Sequence, residues 1–130
     1  MLEIGARLGA GHIGVLIQHT LGIDCWRALW DIALGHPPKV AAQYRRYATV
    51  RFLTSPDPGR LVAVDGLPHI GERTPVVHLR CTPGDLVGPA VSNRGRLGHI
   101  IVTGHDPSVD TLADQILRQV TVTVGTGSPV

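Results

Sequence analysis

A chain of 130 residues, 43% hydrophobic and 17% charged, has room for one modest core and the make-up of an ordinary globular domain. Its formal charge of +2, with Lys39 the lone lysine among twelve basic residues, and its 4% aromatic content argue against nucleic acid as a partner, by field or by stacking. No apolar run approaches the ~20 residues that span a bilayer, and no basic segment leads into a long apolar stretch at the N-terminus, so we expect a cytoplasmic protein with no membrane contact.

In chain order, Leu2 to Ala6 reads as a strand, and Gly9 to His12 as a glycine-rich turn. Ile13, Leu16, Ile17 and Leu21 then recur at helical spacing, and Gly22 is the stop. Asp24 caps a second helix carrying Trp26, Leu29, Trp30 and Ala33, which Gly35 and His36-Pro37-Pro38 end. Trp26 and Trp30 lie four apart on one helix face, a spacing that predicts packing. Tyr47 to Thr54 has strand composition, Ser55-Pro56-Asp57-Pro58-Gly59 is a turn, and Arg60 to Val64 is expected to complete a hairpin. Val76 to Cys81 and His99 to Thr103 are further strands. Asp106-Pro107-Ser108 opens a last helix striped by Val109, Leu112, Ala113, Ile116, Leu117 and Val120. Thr121 to Val124 reads as a closing strand. Helices and strands mixed in this order predict an α+β fold, a helix pair plus a small mixed or antiparallel sheet with a C-terminal helix.

The opening residues carry the chemistry. Glu3, Gly5 and Arg7 share one face of the first strand. Glu3 offers a carboxylate to a hard cation, and Arg7 a fork-shaped guanidinium to phosphate or carboxylate oxygens. Gly9, Gly11 and His12 form the turn behind them, at a helix start where backbone N–H groups welcome an anion. The seven histidines make no zinc-site spacing; His12 and His19 are two turns, about 10.5 Å, apart on one helix. Cys25 and Cys81 are far apart in sequence and are read as reduced thiols rather than a disulfide. Asp24 and Asp85 are read as a cap and a turn residue. Asn93-Arg94-Gly95-Arg96 is a cationic turn, read as solvated.

Glu3-Ile4-Gly5-Ala6-Arg7-Leu8-Gly9-Ala10-Gly11 resembles the Glu-x-Asn-x-Arg and glycine-turn signature of ATP-grasp carboxylate–amine ligases, with Gly5 where that family has a metal-binding Asn. The phrases Arg51-Phe52-Leu53, Pro83-Gly84-Asp85 and Gly98-His99-Ile100-Ile101-Val102-Thr103-Gly104 are similar to the C-terminal domain of the L-amino acid ligase branch. The resemblance implies the C-terminal third of the ATP-grasp fold: residues 1–46 ending the catalytic region, 47–124 a C-terminal subdomain, and 125–130 a tail. It implies ATP and Mg²⁺ as cofactors, Glu3 as metal ligand, Arg7 as the catalytic cation on phosphoryl or acyl-phosphate oxygens, and Gly9, Gly11 and His12 beside the bound small molecules. The adenine pocket and ATP-gripping Lys of the family are expected before Met1, so the 130 residues alone are expected to be inactive. The expected partner is a second copy or an upstream ATP-binding subunit. The competing expectation is a stand-alone module descended from such a ligase, used for binding or assembly or as a reshaped small-molecule pocket.

Overall fold

The computed structural model describes residues 8–9, 11–68, 75–89 and 95–125. The strand expected over Leu2 to Ala6 lies outside them. Helix α1 (Ile13–Leu21) ends at Gly22, whose left-handed backbone (φ 70°) lets its N–H close on the Gln18 carbonyl at 2.9 Å. Helix α2 (Cys25–Ala33) begins at Asp24, and the Asp24 carboxylate accepts from the Arg27 N–H at 2.9 Å. That bond satisfies one of the amides a helix start leaves without a partner. The two helices meet at buried Gly14, where an added Cβ would lie 3.4 Å from Leu8 Cδ1 and 3.7 Å from Cys25 Cβ.

Past Pro37 and Pro38 the chain returns along the end of α1. Gln43 N–H donates to Leu21 O and Arg46 N–H to Thr20 O, each at 2.9 Å, and the Tyr44 hydroxyl donates to Gln18 O at 3.0 Å. The return thereby satisfies the last carbonyls of α1, which no intrahelical amide can reach.

The chain divides into two compact units, Met1–Ala48 with Thr103–Val109, and Thr49–Val102 with Asp110–Val130. Strands β1 (Tyr47–Thr54), β2 (Gly59–Asp65), β3 (Val76–Leu79), β4 (Leu86–Val87), β5 (Arg96–Gly104) and β6 (Thr121–Gly125), with helix α3 (Val109–Gln119) before β6, complete the chain. They form two three-stranded sheets, ordered β1-β5-β3 and β4-β2-β6. Strand β3 runs antiparallel to β5 with His78 opposite His99, and β2 runs antiparallel to both β4 and β6. The fold is α+β, as expected.

The expected hairpin is not formed. Strands β1 and β2 belong to different sheets, so Ser55 to Pro58 is a crossing rather than a hairpin loop. Pro56 and Pro58 have no N–H to give to a ladder. Ser55 instead bridges to Pro89 and its hydroxyl donates to the Asp57 carbonyl, which turns the chain out of the first sheet.

Strand β5 is central, and Leu97 through Val102 are all buried. A strand covered on both faces needs no polar alternation. Leu53, Leu61, Val87, Ala113 and Ile116 complete the core of this unit. Of the expected α3 stripe, Val109, Ala113 and Ile116 are buried while Leu112 is 45% exposed. A bulge between Leu61 and Ala63 shifts the β2–β6 register, and Val62 at that point is half exposed. Gly66, just past β2, has φ 76°, and a Cβ there would stand 2.0 Å from Gln119 O. Only glycine lets the backbone pass so near the end of α3.

Candidate functional site

The turn ahead of α1 is the only part of the sequence-predicted site that lies among the described residues. Gly11 has φ 76° and His12 follows at φ 67°, ψ 19°. His12 is the one described non-glycine residue with positive φ, a conformation that costs an L-residue about 1–2 kcal/mol. Its carbonyl accepts the first helical bond, from Leu16 N–H at 2.9 Å. Its side chain caps no amide, and the first turn of α1 contains no acid. The positive end of the helix dipole is therefore offset by neither a His12 cap nor a first-turn carboxylate, the arrangement that suits an anionic group. Gly11 and His12 form this turn. Glu3 and Arg7 fall outside the described residues.

Among the described residues, no group of three His, Cys, Asp or Glu side chains is placed to hold a metal ion. These residues by themselves do not fit magnesium. The facing rings of His78 and His99 stack, with centroids 5.2 Å apart and 21° between planes, which is cross-strand packing rather than convergence on an ion. Cys25 and Cys81 are both free thiols and half-buried.

The first unit holds a groove of about 640 Å³ between the start of α2 and the returning segment, lined by Gly22, Asp24, Arg27, Lys39 and Gln43 among others. Sequence reading did not find it. Its far wall exists only because residues 38–43 fold back on α1, and the one local hint was the Pro37-Pro38 break. Arg27 Nε pairs with Asp31 at 3.0 Å, and Asp24 already serves as the α2 cap.

In the second unit, Arg51 was also missed as an organising residue. Its Nε donates to Asp114 at 2.7 Å, one Nη to Asp110 at 3.1 Å and the other to the Thr49 hydroxyl at 2.6 Å. The Asp114 hydrogen bond, aided by Asp110, raises the Arg51 pKa further above its ordinary value. Hydrogen bonds from Thr49 and then Arg51 hold the Asp110 carboxyl below its own. This fork joins β1 to one face of α3. At the Pro83-Gly84-Asp85 turn, the Asp85 carboxylate accepts from Thr82 N–H at 2.8 Å and from the Thr82 hydroxyl at 3.0 Å, and these bonds lower its pKa. Asp85 is the turn residue expected, and Asp24 the expected cap.

The helix pair, the two small antiparallel sheets and the late helix recur together in solved structures of ligases. Phosphoribosylglycinamide synthetase from Anaerococcus prevotii matches with a TM-score of 0.77 at 15% identity, over 92% of this chain and 32% of that one. L-amino acid ligase from Bacillus licheniformis matches with a TM-score of 0.75 at 17% identity, over 94% of this chain and 32% of that one. At such identities the likeness is one of fold, and this chain spans about a third of the length of each relative. The family model for L-amino acid ligase C-terminal domain 2 matches residues 51–125, and the chain belongs to that family. No curated protein sequence matches it. No helix among the described residues is long and apolar enough to cross a membrane.

Proposed function

We propose that this chain is the C-terminal part of a cytoplasmic ATP-grasp ligase that joins a carboxylate to an amine through an acyl-phosphate, and that it is inactive as an isolated chain. The family match over residues 51–125 carries the reading. The glycine turn ahead of α1 supports it, because it leaves an anion-favouring helix start directly after the Glu3–Arg7 segment. In this proposal Arg7 grips phosphoryl or acyl-phosphate oxygens bidentately, Glu3 is a ligand for Mg²⁺, and Gly9, Gly11 and His12 border the bound small molecules. Phosphoryl transfer depends on several converging charges acting together. One acid and one arginine do not supply them, so the remaining two thirds of such a ligase has to be present.

The alternative is a stand-alone ligase-derived module. It is favoured by Gly5, which offers a metal no side-chain oxygen where the ligases have Asn. Reading the coding DNA on the 5′ side of codon 1 and assaying the product separates the two. An in-frame extension whose protein releases ADP only when both a carboxylate and an amine are supplied supports the ligase. A start codon with its own ribosome-binding site, or an extended protein that turns over no ATP with any amino-acid pair, supports the module.

A further inference from the structure

We draw no further inference here: the strongest candidate, the outward apolar face of helix α2 that bears the exposed Trp26 and Trp30, carries nothing because nothing in the structure shows what covers it.

Discussion

Replacing Arg51 with Met keeps the length of the side chain and removes all four of its hydrogen bonds, the three above and a longer one to the Val50 carbonyl at 3.3 Å. The guanidinium is 26% exposed and the Asp114 carboxylate 47%, so the 2.7 Å bond between them lies between a surface ion pair and a buried charged hydrogen bond. That places it at about 1 kcal/mol. The Thr49 hydroxyl bond adds about 0.5–1 kcal/mol, for a loss of roughly 1.5–2 kcal/mol. For a unit of this size the loss lowers Tm by about 10 °C. The Asp110 end contributes a pH signature. Its carboxyl is held below its ordinary 3.8, so its stabilisation is complete above about pH 4 and fades as pH falls through the folded-state value. Arg51, with its pKa raised, stays charged throughout. Thermal unfolding of wild type and Arg51→Met should therefore differ by about 10 °C at neutral pH, with the gap narrowing under acid and in high salt. Equal melting temperatures at neutral pH, or a gap that ignores both acid and salt, would contradict the assignment of Arg51 as the tie between β1 and α3.

Gly98→Ala is expected to destabilise more than Arg51→Met. Its Cβ would stand 2.2 Å from the His78 carbonyl oxygen and 3.1 Å from Leu79 Cα, backbone atoms of β3 that cannot step aside; a loss of about 3 kcal/mol or a failure to fold is the expected reading in urea titration. Asp24→Ala should cost about 1 kcal/mol, seen as faster hydrogen exchange of the Arg27 amide at the start of α2. His12→Gly relieves a left-handed side-chain residue and should raise stability by up to about 1 kcal/mol. A lower Tm in that variant would show that the His12 side chain gives the fold more than its backbone takes away.

The helix pair was legible because its punctuation is local. Gly22, Asp24 and Gly35 each act through bonds within four residues, and composition alone marked β1 over the span observed. What sequence could not reveal was nonlocal. Strand β4 is two residues long and exists only through its pairing with β2, and the crossing at Ser55 depends on Pro89, which lies on a distant segment. Arg51 read as an ordinary member of a strand because its acid partners come 59 and 63 residues later. The spacing of Asp110 and Asp114, four apart on one helix face, was the available signal. Trp26 and Trp30, both exposed on α2, mark a different limit: helical spacing reveals that two residues share a face, but not whether the chain itself covers it.

The most direct test of the central claim, that this polypeptide supplies one part of a phosphate-handling site and depends on the rest of a ligase for the remainder, is a calorimetric titration of the 130-residue chain with ATP in excess Mg²⁺. No heat of binding at micromolar nucleotide is the result expected. A saturable micromolar isotherm would contradict the claim, because it would require the chain to hold a nucleotide site on its own.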